Sequence, residues 1–180
     1  SQLNSDLVNT KRTLEQKNQQ LSQLNQKLEE LSTKDYLTKL KNRRGFFNEY
    51  QDYETTLDKV LLMIDFNHFK QVNDDYGHHR GDEALIYFAN QMKACIKDGI
   101  GDAYRLGGDE FLVLTTPDIY QKFIENYPEI LAGLKQFHEN LSLSYGIVKI
   151  ENGTLLDSKT LKDLLKQADR AMYKMKKERR

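Results

Sequence analysis

The first 34 residues carry apolar side chains at a seven-residue interval. One series consists of Leu7, Leu14, Leu21 and Leu28. A second series, offset by three residues, consists of Leu3, Thr10, Lys17, Leu24 and Leu31. Such series are typical of the a and d positions of a coiled coil, and the stripe is narrower than that of a helix packed on a domain. The pattern favours a self-associating coiled coil over residues 1–34. The alternative is a single amphipathic helix packed on the domain, and two leucine positions do not fix the number of strands.

After residue 34, apolar positions alternate between the periods of helices and strands. The pattern predicts helices over residues 43–53, 67–76, 82–96, 118–137 and 158–180, and strands over 59–66, 103–106, 111–115 and 141–150. We expect a break near Pro128 and Gly133, a cap at Ser158, and a turn at 152–153 that leads to a short strand. This order predicts an α/β domain with one sheet of mixed direction over residues 35–180.

Composition excludes several classes of protein. Lys plus Arg and Asp plus Glu both total 27, which argues against a nucleic-acid partner. The single cysteine, Cys95, excludes an internal disulfide and a multi-cysteine zinc site. Neither a run of about 18 apolar residues nor a signal peptide is present, so we expect a cytoplasmic segment without membrane contact. The polar heptad region accounts for the low mean hydropathy of −0.74.

Three carboxylates stand where the chain is expected to turn. Asp65 closes an apolar strand, and Asp109 and Glu110 follow Gly107 and Gly108 in the four-residue connection of a predicted hairpin. Asp65 would cap the next helix in one interpretation. In the other, the strand end and the hairpin tip lie side by side, and the carboxylates bind Mg²⁺ or Mn²⁺ as in nucleotidyl transfer.

Five blocks of the sequence resemble one known family. Residues 105–111, Arg-Leu-Gly-Gly-Asp-Glu-Phe, are similar to the signature of GGDEF-domain diguanylate cyclases. Residues 35–44 resemble the opening motif of that family, with Lys39 in place of the usual glycine. Residues 64–82, 144–146 and 168–176 match its other blocks. The resemblance implies a GGDEF catalytic domain over 35–180, with a mixed central sheet flanked by helices as in nucleotidyl cyclases and polymerase palms, after a coiled-coil helix.

The resemblance also implies a reaction and its partners. Two GTP molecules would condense into cyclic di-GMP and two pyrophosphates across a two-fold homodimer held by the N-terminal coiled coil. Two Mg²⁺ or Mn²⁺ ions would serve each active site. The abrupt start within a heptad repeat suggests a missing upstream sensor domain, and the fragment would then be the cytoplasmic end of a larger, membrane-tethered protein.

Site residues carry over by position. The metal ligands would be the side chains of Asp65 and Glu110 and the carbonyl of Phe66, with Asp109 as a third ligand or a base. The substrate-binding residues would be Leu37, Phe69, Lys70, Asn73, Asp82, Gly107, Gly108, Lys176 and Arg180. Among these, Asn73 and Asp82 would read the guanine edge, and the lysines and Arg180 would contact phosphates. Asp82 offers an acceptor for groups that adenine lacks, although a helix N-cap is the simpler interpretation. The basic C-terminal helix could equally be a solvated face, and we expect His78 and His79 to be structural or exposed.

Two departures from the family pattern stand out. The Arg-x-x-Asp product-binding motif of many members is replaced by residues 98–101, Asp-Gly-Ile-Gly, and Asn67 replaces a commonly acidic residue. Three alternatives to an active cyclase are a catalytically inactive GTP-binding regulatory module, a purely structural dimerisation protein and an enzyme that makes a mixed cyclic dinucleotide. The intact signature and the metal aspartate favour the active enzyme.

Overall fold

The computed structural model describes residues 1–96 and 102–178, which form one long helix followed by an α/β arrangement. The helices are α1 (Gln2–Thr33), α2 (Arg43–Tyr50), α3 (Phe69–Tyr76), α4 (His78–Cys95), α5 (Pro117–Lys135) and α6 (Ser158–Glu178). The strands are β1 (Lys41–Asn42), β2 (Tyr53–Glu54), β3 (Lys59–Asn67), β4 (Asp102–Gly107), β5 (Glu110–Thr115), β6 (Ser142–Ile150) and β7 (Leu155–Leu156). No described helix is both long and apolar enough to cross a bilayer.

The main sheet has the predicted mixed direction. In the described part of the chain, five strands follow the order β1-β4-β5-β3-β6, and a separate pair joins β2 to β7. β1 runs parallel to β4, whereas the pairs β4–β5, β5–β3 and β3–β6 are antiparallel. The apolar run over residues 59–66 forms the central strand β3, which is buried along nearly its whole length. The predicted fold class is therefore confirmed.

Helices cover both faces of this sheet. Alternate side chains of β3 point to opposite sides, and the apolar ones on each side are buried against helices. Leu62, Ile64 and Phe66 pack with α3, α4 and α5 on one face. Leu61 and Met63 pack with α2 and α6 on the other face. The end of β3 therefore lies between two packed layers, and this end carries the candidate carboxylates.

The leucine stripe of α1 lies in solvent in the single chain. The leucines at positions 3, 7, 14, 21, 24, 28 and 31 are between 54% and 81% exposed. The helix joins the domain at its C-terminal end, where the carbonyl of Thr33 lies against Gly45 of α2 and Asn42 donates to the carbonyl of Ser32 at 2.9 Å. The apolar stripe is thus available to another helix, and the coiled coil stays a prediction.

One predicted helix start and one predicted helix cap are wrong. α4 begins at His78, four residues before Asp82, because Gly77 adopts a φ of 87° and separates α3 from α4. Asp82 is therefore an interior helical residue and not an N-cap. α6 begins at Ser158 itself, and the capping side chain is Asp157, whose Oδ1 accepts from the Thr160 amide at 2.8 Å.

The break predicted in the helix over residues 118–137 is also wrong, since this helix, α5, continues through Pro128 and Gly133. An interior proline removes one hydrogen bond and costs about 3 kcal/mol. Burial of apolar side chains along the same helix offsets this cost, and these side chains are Ile119, Phe123, Ile130 and Leu134. The Tyr87 ring of α4 packs where a side chain at position 133 would stand, so glycine allows the two helices to approach.

Candidate active site

The strand register brings two of the predicted carboxylates opposite each other. Asp65 of β3 pairs with Glu110 of β5 on one side and with Ser144 of β6 on the other. The hairpin closes more tightly than the sequence predicted, with Gly107 paired to Glu110 after a bulge. Gly107 and Gly108 have φ angles of 148° and 53°, which glycine adopts without strain. The end of β3 and the hairpin tip therefore lie side by side, as predicted.

Asp65 is largely buried and is only partly satisfied. Its side chain is 13% exposed, and its Oδ2 lies 2.5 Å from the ammonium of Lys176. Its other oxygen, Oδ1, is buried without a hydrogen-bond partner among the described residues. Asp65 does not cap the following helix, because α3 starts at Phe69 with His68 in the N-cap position. The helix-cap interpretation of Asp65 is therefore wrong.

Lys176 reaches this point because α6 packs very closely on β6. A Cβ at Gly146 would overlap the backbone of Ala168 and Met172 in α6, so only glycine permits this approach. The lysine ammonium also lies 3.3 Å from the carbonyl oxygen of Phe66. One cation therefore contacts both the Asp65 carboxylate and the Phe66 carbonyl.

Asp109 lies near Asp65 at the tip of the hairpin. Burial and the negative charge of Asp65 raise the pKa of Asp109 to about 6, although Lys176 and a backbone hydrogen bond act in the opposite direction. Glu110 is exposed at the first position of β5. The tip therefore concentrates negative charge in a partly desolvated place, which favours a cation.

These groups fit a hard divalent cation in their chemistry. Mg²⁺ and Mn²⁺ prefer carboxylate and carbonyl oxygens, and the Asp65 Oδ1 is a buried oxygen that needs a partner. In residues 1–96 and 102–178, no three His, Cys, Asp or Glu side chains form a metal-binding cluster by themselves. The expected ligand set accordingly includes the backbone oxygen of Phe66 beside the carboxylates.

An ion pair that the sequence did not predict joins the hairpin turn to Asp35, which lies two residues after the end of α1. Arg105 donates from Nε and Nη2 to the carbonyl of Gly108 at 2.9 and 2.7 Å. Its Nη1 lies 3.1 Å from both carboxylate oxygens of Asp35, and the two side chains are only 11% and 15% exposed. Both residues stand in the quoted motifs, but no local signal pairs positions 70 residues apart.

Asp35 is also held from its own loop. Its Oδ2 accepts from the amide and hydroxyl of Thr38 at 2.8 and 2.6 Å. Burial alone would raise the pKa of Asp35, but the hydrogen bonds from Thr38 and the pair with Arg105 outweigh it and lower that pKa. In the same loop, Lys39 has a φ of 61°, a left-handed conformation that explains why a glycine is usual there.

The residues expected to read guanine lie where α3 meets α4. The Oδ1 of Asn73 is buried, lacks a hydrogen-bond partner in the described chain, and packs against Gly81. Gly81 directly precedes Asp82, so the two polar side chains belong to neighbouring parts of this helix pair. His138, which the sequence analysis did not single out, is buried and donates from Nε2 to Asp75 of α3 at 2.9 Å.

The remaining expected substrate residues differ in their surroundings. Lys70 is 91% exposed, with its Nζ 4.0 Å from Asp74. Leu37 and Phe69 are partly buried against the core, where the Phe69 ring lies 5.6 Å from that of Phe66. Arg180 lies outside the described residues, as does the 98–101 segment that replaces the product-binding motif.

Three other residues singled out in the sequence, His78, His79 and Asn67, lie outside the carboxylate cluster. His78 and His79 are exposed at the start of α4, as predicted. Asn67 is buried, donates from Nδ2 to the hydroxyl of Ser142 at 2.9 Å, and accepts from the hydroxyl of Ser144 at 3.0 Å. Its amide therefore joins β3 to β6.

Comparison with known proteins agrees with this geometry. The family profile described as "Diguanylate cyclase, GGDEF domain" matches residues 32–180. The chain is 32% identical over 160 residues to the probable diguanylate cyclase DgcC of Escherichia coli, covering 82% of this chain and 41% of DgcC. It is also 32% identical over 155 residues to diguanylate cyclase DgcM of the same species, covering 79% of this chain and 35% of DgcM. The chain thus spans less than half the length of either relative.

Solved structures show the same fold. The coiled coil and GGDEF domain of DgcB from Caulobacter crescentus, in complex with c-di-GMP, has a TM-score of 0.72 at 23% identity and covers 98% of this chain and 95% of that chain. A microbial GGDEF domain studied with cyclic di-GMP has a TM-score of 0.63 at 27% identity and covers 81% of this chain and 93% of that chain. With the profile match over residues 32–180, these findings place the chain in the GGDEF-domain diguanylate cyclase family.

Proposed function

We propose that the chain is an active diguanylate cyclase that condenses two GTP molecules into cyclic di-GMP and two pyrophosphates. The observation that carries this proposal is the cluster at the end of β3, where a buried Asp65 oxygen without a partner stands beside Asp109 and opposite Glu110. A purely structural domain would not need to hold such charges together, since burying them is costly. A nucleotidyl transferase needs them to bind a cation.

Asp65, Glu110 and the Phe66 carbonyl would hold Mg²⁺ or Mn²⁺, two ions per active site, with Asp109 as a further ligand or a base. When bound, the metal stabilises the charge that develops on the α-phosphate. Gly107 and Gly108 form a turn without side chains, which allows phosphates to approach the backbone.

Polar side chains on the surrounding helices would hold the rest of GTP. Asp82 can accept from N1–H and the exocyclic amine of guanine, which adenine does not offer, and Asn73 can bond to the same edge. Lys70 and Lys176 carry the charge that a triphosphate requires. Phe69 and Leu37 supply apolar surface beside the base and the phosphates.

Two copies of the domain are required for the complete reaction. In each of two steps, a 3′-hydroxyl oxygen forms a bond to the α-phosphorus of the other GTP. The bond to the β-phosphate breaks, pyrophosphate leaves, and the hydroxyl proton passes to a base or to solvent. Each domain would hold one GTP, and pairing of α1 through its exposed leucines would bring two domains together.

Product analysis tests this function. Incubation with GTP and Mg²⁺ should yield cyclic di-GMP and pyrophosphate in a ratio of about one to two, because one pyrophosphate leaves for each bond formed. Asp65→Asn or Glu110→Gln should abolish the product without loss of folding. Asp163→Asn, which neutralises an exposed carboxylate of α6, is the matched control and should leave turnover unchanged.

The same experiment distinguishes an active cyclase from the main alternative, a catalytically inactive GTP-binding regulatory module. Such a module would bind GTP in calorimetry, form no cyclic product at any protein concentration, and show no difference in product between the wild-type chain and the Asp65→Asn variant. A mixed cyclic dinucleotide in the presence of GTP and ATP would instead indicate relaxed base choice.

A further inference from the structure

The ammonium of Lys176 occupies the position between two groups that are expected to bind metal. It lies 2.5 Å from the Asp65 Oδ2 and 3.3 Å from the carbonyl oxygen of Phe66. Both contacts are those of a cation with hard oxygen ligands, and the side chains of Lys176 and Asp65 are only 25% and 13% exposed. A monovalent charge from the protein itself therefore partly neutralises this site.

From this placement we infer that Lys176 competes with the divalent cation for Asp65 and Phe66, and so keeps metal out until a triphosphate draws the ammonium away. This inference rests on the proposed function, because it concerns the metal site of the cyclase. It adds an order of events to that function: the metal enters with the nucleotide and not before it.

The packing of α6 makes this competition effective. The helix is held against β6 by the close approach at Gly146, and the Met175 sulfur accepts from the Tyr145 amide at 3.2 Å. Lys176 follows directly in the same helix, so its stem starts from a fixed backbone position beside the end of β3. Little conformational freedom is lost when its ammonium binds Asp65, which favours the ion pair.

The ammonium nevertheless leaves part of the site unsatisfied. The Asp65 Oδ1 is buried and has no hydrogen-bond partner in the part of the chain that the structure describes. A divalent ion would satisfy this oxygen better than one ammonium does. The anionic triphosphate would offer the Lys176 ammonium a new partner in the same step. The divalent ion and the ammonium would then each have an anionic partner, which favours the exchange.

The inference can be tested without any turnover by titrating the nucleotide-free chain with Mn²⁺. The paramagnetic resonance signal of the free ion reports how much Mn²⁺ remains unbound. Lys176→Gln should raise the affinity for Mn²⁺ by about ten- to a hundredfold, the equivalent of one charge-assisted hydrogen bond. Lys176→Met, which keeps the apolar stem, should have the same effect and guards against a folding defect in the first variant.

The matched control is Lys177→Gln, which removes the same charge from the next position of α6. The Lys177 ammonium lies 4.9 Å from the Tyr173 ring centre, so this variant should change Mn²⁺ affinity by less than about twofold. Adding Asp65→Asn to Lys176→Gln should abolish the gain.

Three results would overturn the inference: unchanged Mn²⁺ affinity in both Lys176 variants, an equal gain in Lys177→Gln, or a gain that persists without the Asp65 carboxylate. The proposed function fails on a different result, absence of cyclic di-GMP from the wild-type chain. The two failures can therefore be told apart.

Discussion

Removal of the Arg105 guanidinium should destabilise the domain and disorder the hairpin turn. Arg105→Met leaves the Asp35 carboxylate and the Gly108 carbonyl without their shared donor, and the Asp35 carboxylate lies largely away from solvent. Loss of one partner of a buried ion pair costs about 3–5 kcal/mol, and the 11% and 15% exposure of these side chains places this case near the lower end, at about 3 kcal/mol. At about 2–4 °C per kcal/mol for a chain of this length, the melting temperature should fall by about 6–12 °C.

Thermal unfolding followed by circular dichroism measures this effect. Arg105→Lys keeps the charge but not the planar guanidinium, so its melting temperature should lie between those of the wild-type chain and Arg105→Met. Arg44→Met removes an exposed arginine of α2 and should stay within about 0.5 kcal/mol of the wild-type chain. Product formation should fall at least tenfold in Arg105→Met at temperatures where the variant is folded, because the turn beside Asp109 is no longer held. Equal melting temperatures for Arg105→Met and Arg44→Met would refute the reasoning.

Two further predictions concern the charge cluster and the stalk. The folded-state pKa of Asp109, about 6, lies above the ordinary 3.8, so the native state binds the proton more tightly and loses stability as the pH rises between these values. Asp109→Asn should therefore stabilise the metal-free domain above pH 7 by on the order of 1–2 kcal/mol, allowing for partial screening, and the gain should vanish near pH 4 in urea titrations; a gain independent of pH would contradict this assignment. Polar substitutions at Leu14 and Leu21 together should weaken dimerisation, measured by light scattering, and make specific activity rise steeply with protein concentration. Wild-type specific activity from a monomeric Leu14/Leu21 variant at dilute concentration would show that pairing of α1 is not needed.

The sequence predicted the parts of this molecule that depend on local pattern. The continuous apolar run at 59–66 indicated a buried central strand, and the four residues between two strand-like runs indicated the hairpin with Asp109 and Glu110 at its tip. The seven-residue leucine interval indicated the long first helix. These signals lie within a few residues of one another along the chain, so a single sequence contains them.

The errors arose where tertiary contacts override local preference. Pro128 and Gly133 are helix breakers on their own, yet burial of apolar side chains keeps α5 continuous. The pairs Arg105–Asp35 and Lys176–Asp65 join residues 70 and 111 positions apart, and their geometry depends on how helices pack on the sheet. Motif resemblance named most of these residues, but no property of the sequence predicted which would touch.

Mixing active and inactive chains tests the central claim that the carboxylate site works only in a pair of domains. Wild-type chain should be coexpressed or re-equilibrated with a tenfold excess of Asp65→Asn chain, and cyclic di-GMP should be quantified per wild-type chain. With random pairing, only about one wild-type chain in eleven then has a wild-type partner, so cyclic product per wild-type chain should fall to about a tenth. The Asp65→Asn chain that also carries polar residues at Leu14 and Leu21 should have little effect. Cyclic di-GMP formation that is unchanged by the excess of Asp65→Asn chain would contradict the account.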